Sequence, residues 1–230
     1  MIGCLCIHGF TGSPEELAPL AAYLQEKTDW QVVVPTLPGH GNGATLEGIS
    51  HKDWVAYAEK ELKKLLSACD EVYVIGFSMG GLIASILAAA YPVSKLVLLS
   101  AAAFYVNPQQ LYKDIKEMIS DSFKGNLQGN EMFQRYKRKI IHTPFSATIE
   151  FRKIVLLVRP LLKKIKIPTF IVQGEGDGIV PPKSAAFLYS RIGSDIKKIH
   201  MEPGAKHLIC HCENKEQIFQ AIYTFLQDEG

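Results

Sequence analysis

The 230-residue chain has no surplus of either charge. Its 25 Lys and Arg stand against 23 Asp and Glu, a net of +2, too small to argue for nucleic acid as a partner. No uninterrupted apolar run is long enough to cross a bilayer, so no integral membrane segment is expected. The first strand opens at Ile2, and no basic, apolar and small-residue leader pattern precedes it. Asn-x-Ser/Thr does not occur. Cysteine is scarce and odd in number: Cys4, Cys6, Cys69, Cys210 and Cys212. Cys4 and Cys6 sit two apart in a strand, on one face, where free cysteine acts as a small apolar filler. A reduced, cytoplasmic setting is therefore expected. Paired Cys-x2-Cys spacing is also missing. That leaves His207, Cys210, His211 and Cys212 as the one alternative metal cluster; its ligand types suit zinc, but two of the four fall on or near a helix. No metal site is expected.

What is there is an ordinary soluble composition, 47% hydrophobic and 21% charged, in a length that fits one sizeable domain. The organising stretch is Glu71-Val-Tyr-Val-Ile-Gly-Phe-Ser-Met-Gly-Gly-Leu-Ile-Ala. Val72–Ile75 reads as a buried strand, and a helical run from Met79 to Ala90 follows almost without a spacer. Between them Gly76-Phe-Ser-Met-Gly80 is a G-x-S-x-G turn. Such a turn holds its serine at strained backbone angles, with glycines leaving room for close approach. The hydroxyl of Ser78 is then lifted clear of the sheet, beside the first N–H groups of a helix.

The rest of the chain alternates. Strands are expected at Ile2–His8, Gln31–Pro35, Lys95–Ser100, Ile167–Gln173 and Asp195–Met201 besides that before Ser78. Helices are expected from Ser13 (a cap, with Pro14 at the first position) to Lys27, from His51 to Ser67 capped by Ser50, from Pro182 to Arg191, and from Glu213 to Leu226. This is an α/β chain of βαβ units with a mostly parallel sheet of about six strands and helices on both faces. Residues 1–104 and 165–230 form the core. Residues 105–164 break the pattern with three helical pieces, 108–123, 131–141 and 146–162. The break follows the fourth strand, at the sheet end where ligands bind, so it is expected to overhang the site as a lid. The insertion carries 12 Lys and Arg against 5 Asp and Glu, a net of +7, leaving −5 for the remainder. That is either a solvated cationic face or an attraction for anionic or lipid-surface substrates.

A serine needs a base, and the base needs a third group to hold it. In a strand–turn–helix fold of this kind the partners come in the order Ser, acid, His. Of seven histidines only His200, His207 and His211 follow the fifth strand. His200 lies within a strand. His207 lies in the loop beyond the last strand and is the expected base, with His211 second. Gly174-Glu-Gly-Asp-Gly178 offers the acid: Asp177, flanked by glycines that let the backbone turn sharply, with Glu175 the runner-up. For the oxyanion, backbone donors are expected at Met79 and at Phe10, the latter in the loop after the first strand. The Phe10 side chain is expected to face the acyl group.

His8-Gly-Phe-Thr-Gly12, Leu37-Pro-Gly-His-Gly41, Asp53-Trp54, Gly76-Phe-Ser-Met-Gly-Gly81, Gly176-Asp177 with Val180-Pro181, and His207 together resemble the α/β-hydrolase superfamily. Within it the chain is similar to small bacterial carboxylesterases and monoacylglycerol lipases, over nearly its whole length. The resemblance implies the α/β-hydrolase fold with a helical cap over an acyl tunnel. It also implies hydrolysis of small-molecule esters through an acyl-serine intermediate, without metal or organic cofactor. A homodimer is compatible with it. Two features depart from the family pattern. Met1 abuts the first parallel strand where the fold usually begins with an antiparallel pair, and Glu175-Gly176 stands where relatives often have His and a small polar residue. An acyl thioesterase, or a relative of the fold that binds ligands without catalysis, is the alternative; an intact Ser78, Asp177 and His207 speaks against the second.

Overall fold

The computed structural model describes residues 1–41, 44–104 and 143–228. Six strands form one sheet: β1 Ile2–Ile7, β2 Gln31–Val33, β3 Glu71–Phe77, β4 Lys95–Leu99, β5 Thr169–Gly174 and β6 Lys197–Glu202. Their spatial order is β2-β1-β3-β4-β5-β6, and every neighbouring pair is parallel. The helices among the described residues are α1 Ala18–Lys27, α2 His51–Ala68, α3 Met79–Ala88, α4 Phe145–Val158, α5 Lys183–Arg191 and α6 Lys215–Gln227.

Strand period explains the two cores. Leu5, Ile7, Val72, Val74, Leu96, Leu98 and Ile171 face the layer of α2, α3, α4 and α5. The alternate residues Cys4, Cys6, Tyr73, Ile75, Val97 and Val172 face α1 and α6, as successive side chains on a strand must. The central strands are apolar on both faces because helices cover both. Helix α3 is buried along its full length, so it reads as apolar all round rather than amphipathic.

The chain runs from β1 outward to β2, then returns to place β3 on the other side of β1. The crevice between the carboxyl ends of β1 and β3 is thus the point where strand order reverses, the place where open α/β sheets bind ligands. The loop Gly9–Gly12 and the turn at Ser78 both open onto it.

Two details differ from expectation. Ser13 makes no side-chain cap; residues Pro14–Glu16 form a 3-10 turn and α1 starts only at Ala18. By contrast, Ser50 and Asp53 form the reciprocal capping box at the start of α2. Strand β2 is shorter than expected, ending at Val33. The expected helices at 108–123 and 131–141 lie outside the described residues. The third expected piece is α4, which packs on α2 and α3. Its Glu150 accepts hydrogen bonds from the His51 amide at 3.0 Å and Lys153 Nζ at 2.5 Å, and faces His51 Nδ1 at 2.6 Å. Burial pushes this carboxyl up, but Lys153 and His51 outweigh it and hold it down at about 2.

The packing of α3 on the sheet sets a hard limit at Gly80. A Cβ there would lie 2.1 Å from the Ile7 carbonyl oxygen and 2.5 Å from that of His8. Backbone cannot yield as a side chain can, so Gly80→Ala must push α3 off β1. The expected result is a loss of about 3 kcal/mol or more, read as a Tm lower by about 6–12 °C. An unchanged Tm would contradict this account of the packing.

Candidate active site

Ser78 lies between β3 and α3 with φ 54° and ψ −116°, a left-handed conformation that is strained for a residue with a Cβ. Long-range backbone bonds impose it. The Ser78 N–H donates to Leu99 O at 2.9 Å, and Ser78 O accepts from Gly81 N at 3.1 Å and Ala102 N at 3.3 Å. Gly76 permits the turn, because a Cβ there would meet Gly80 O at 2.3 Å. The serine is nonetheless only 8% exposed.

The loops beyond β5 and β6 bring the two other expected residues to it. His207 Nε2 is 3.1 Å from Ser78 Oγ, and His207 Nδ1 is 2.8 Å from Asp177 Oδ2. All three are buried. Asp177 Oδ1 accepts the N–H groups of Ile179 and Val180, each at 2.9 Å. Oδ2 also accepts from Gln173 Nε2 at 2.9 Å. Burial alone would raise this carboxyl, but His207 and the Val180 and Ile179 amides outweigh it and hold it below the ordinary aspartate value. An ionised Asp177 accepts from Nδ1–H, which leaves Nε2 as the acceptor for the Ser78 hydroxyl. Such a line can take the proton from a serine as it attacks.

The runners-up are placed elsewhere. Glu175 is exposed. His211 Nε2 lies 3.1 Å from Glu15 O, and burial lowers its pKa. Cys210 is buried, which pushes its thiol up, and both ring nitrogens of His207 face Asp177 and Ser78. Among the described residues no group of three or more His, Cys, Asp or Glu converges as metal ligands would.

Two further residues brace the site, neither with a role legible in the sequence. Gln173 is fully buried at the end of β5, and its Nε2 also reaches Val180 O at 3.2 Å, tying the Asp177 loop to its strand. A lone amide in the apolar run Thr169-Phe-Ile-Val-Gln173 was the available signal. His8 accepts the Leu37 N–H on Nε2 at 3.0 Å, so its Nδ1 carries the proton and donates to Gly9 O at 2.9 Å. It therefore links the loop after β1 to that after β2. The latter loop is held in turn by the Trp54 indole, which donates to Pro38 O at 2.9 Å, and this accounts for the Asp53-Trp54 motif.

Phe10 lies in the bend closed by Gly12 N–H on Gly9 O. Its ring is buried, stacked on Phe151 of α4 at 5.3 Å and edge-on to Trp54 at 5.9 Å. Met79 is the first residue of α3, where helix geometry leaves an N–H without an intrahelical partner. Beyond the end of α4, Arg159 donates to Ala103 O at 3.1 and 3.3 Å, and its guanidinium carbon lies 5.2 Å from the centre of the Phe187 ring.

Comparison with known proteins identifies the family and the fold. The profile of the Hydrolase_4 family, described as serine aminopeptidase, S33, matches residues 3–214. The chain is 29% identical over 208 residues to a thermostable monoacylglycerol lipase of Bacillus sp. (strain H-257), covering 86% of this chain and 79% of that one. It is 24% identical over 233 residues to a carboxylesterase of Bacillus subtilis (strain 168), covering 97% and 91%. In structure it is similar to one from the metagenome-derived lipolytic enzymes LipS and LipT, with TM-score 0.82, 24% identity and coverage of 99% and 94%. It is also similar to the Paleococcus ferrophilus monoacylglycerol lipase, with TM-score 0.76, 19% identity and coverage of 97% and 93%. The chain belongs to the Hydrolase_4 family of serine hydrolases and has the α/β-hydrolase fold.

Proposed function

We propose that this chain is a serine carboxylic-ester hydrolase in which Ser78 is the nucleophile, His207 the base and Asp177 its orienting acid. The observation that carries the reading is the hydrogen-bonded line from Asp177 through His207 to Ser78, at the crevice where strand order reverses. In the first step His207 Nε2 takes the Ser78 proton as Oγ bonds to the ester carbonyl carbon. The carbonyl electron pair moves to oxygen, which the Phe10 and Met79 N–H groups hold. Collapse of this intermediate breaks the bond to the alcohol oxygen, and His207 gives the alcohol its proton. A water, deprotonated by His207, then attacks the acyl-serine and releases the acid and Ser78. Residues 105–164 act as the cap over the acyl group, with α4 its inner wall.

Short- or medium-chain esters, or monoacylglycerols, are the substrates this reading favours. The two Bacillus relatives, a monoacylglycerol lipase and a carboxylesterase, support it over the peptide substrates in the family's description. All five cysteines are free thiols, which supports a cytoplasmic setting. The test is a kcat/KM series on p-nitrophenyl esters from acetate to palmitate, with an acyl-CoA and amino-acid p-nitroanilides alongside. A clear optimum among the esters, with the anilides uncut, is expected. Faster cleavage of the acyl-CoA, or of an anilide, would overturn the ester assignment.

A further inference from the structure

The steps above make no use of Glu16, although its carboxylate is buried against the loop that carries Phe10. Glu16 ends the Pro14–Glu16 turn and is 4% exposed. Its Oε2 accepts the Gly9 N–H at 2.7 Å, seven residues back. Its carboxylate also fills the hollow of the Gly9–Gly12 bend: a Cβ on Gly12 would lie 2.2–2.3 Å from its carboxyl atoms. An acidic residue in a first turn ordinarily faces the N–H groups of its own helix. This one points out of its turn and into the loop.

The consequence falls on a single peptide group. The Gly9–Phe10 peptide carries the Phe10 N–H. Its carbonyl oxygen accepts from His8 Nδ1 at 2.9 Å and from Gly12 N at 3.3 Å. The preceding N–H is taken by Glu16, and the following residue, Thr11, is held at φ 62°. With partners on both sides that peptide plane cannot rotate. The same turn is tied to the chain beyond β6, where Glu15 O lies 3.1 Å from His211 Nε2.

We propose that Glu16 is a positioning residue, whose carboxylate holds the Gly9–Phe10 peptide so that the Phe10 N–H aims at the oxyanion. The proposal rests on the ester-hydrolase reading above. An oxyanion donor acts on the transition state, and loss of one lowers kcat by roughly 100- to 1000-fold. A donor left in place but loosely held loses part of that. The effect belongs to kcat rather than KM, because the ground-state carbonyl leans little on the donor.

The experiment compares Glu16→Ala, Glu16→Gln and Ser78→Ala with the wild type on p-nitrophenyl butyrate. Circular dichroism and thermal unfolding establish folding, and inhibition by an alkyl trifluoromethyl ketone, which forms a tetrahedral adduct, is measured in parallel. Folded Glu16→Ala is expected to lose about 10- to 100-fold in kcat and a similar factor in ketone affinity, with KM within about 3-fold. Glu16→Gln, whose Oε1 still accepts the Gly9 N–H, is expected to recover to within about 5-fold. Should Glu16→Ala not fold, Glu16→Asp draws the carboxylate back by one carbon and is expected to show the same kcat loss. Wild-type kcat and ketone affinity in folded Glu16→Ala or Glu16→Asp would overturn the role of Glu16 alone, provided Ser78→Ala is inactive. Hydrolysis surviving in Ser78→Ala would instead overturn the reading beneath it.

Discussion

Ser78→Ala is expected to lower kcat on any ester this protein cleaves by about four to six orders of magnitude, with the fold intact. The magnitude follows from the kind of group removed. Residues of a nucleophile–base unit act together, and deletion of the nucleophile leaves only what the oxyanion donors and substrate binding supply. The fold survives because the strain at Ser78 is held by its backbone, through Leu99 O, Gly81 N and Ala102 N, none of which needs the hydroxyl. Alanine at φ 54° keeps the strain that serine already has. The measurement is kcat/KM with circular dichroism on the same preparation. A folded variant retaining a tenth of wild-type activity would remove Ser78 from the mechanism.

Asp177→Asn is expected to cost about 10⁴-fold in kcat, for a reason visible in its surroundings. Oδ1 receives the Ile179 and Val180 amides, so the asparagine oxygen must stay there. Its NH2 then takes the place of Oδ2 and meets two donors, His207 Nδ1–H and Gln173 Nε2. The imidazole escapes by moving its proton to Nε2, where it can no longer accept from Ser78. The same substitution has a stability signature. The Asp177 carboxyl is held below its ordinary value, so its contribution is present above the unfolded aspartate pKa of about 4 and is lost as pH falls through the folded one. The stability gap between wild type and Asp177→Asn is therefore expected to narrow as pH drops below about 4, followed by urea unfolding. Near-full activity in the variant would return the acid role to another carboxylate.

How much of this could be read beforehand depended on whether each constraint was local. The turn at Ser78 is a short-range demand, with glycines placed where backbone must approach backbone, and Gly76-Phe-Ser-Met-Gly80 announces it. Asp177 lies between glycines in a loop whose place after β5 follows from the alternation of elements, and His207 follows from topology in the same way. The sheet was legible for a related reason, since its central strands β1, β3, β4 and β5 are buried on both faces and read as apolar runs. What was not legible depends on partners distant in sequence. Ser13 looks like a cap and Glu16 like a favourable first-turn acid, yet the chain turns Glu16 inward to Gly9 and leaves Ser13 without that role. Gln173 looks like the polar end of a strand, and only the fold brings its amide to Asp177. The Phe10 ring, expected to face the acyl group, stacks on Phe151 of α4, a contact across more than a hundred residues that no local pattern encodes.

The most direct test of the central claim is covalent labelling with a fluorophosphonate, followed by peptide mass mapping. The phosphonyl group forms its bond with a nucleophilic serine and expels fluoride, so it reports the activated hydroxyl without any choice of substrate. The account predicts one adduct, on the peptide containing Ser78, with labelling lost in Ser78→Ala and strongly slowed in His207→Ala. An adduct at another serine, or no adduct on folded wild-type protein, would contradict it.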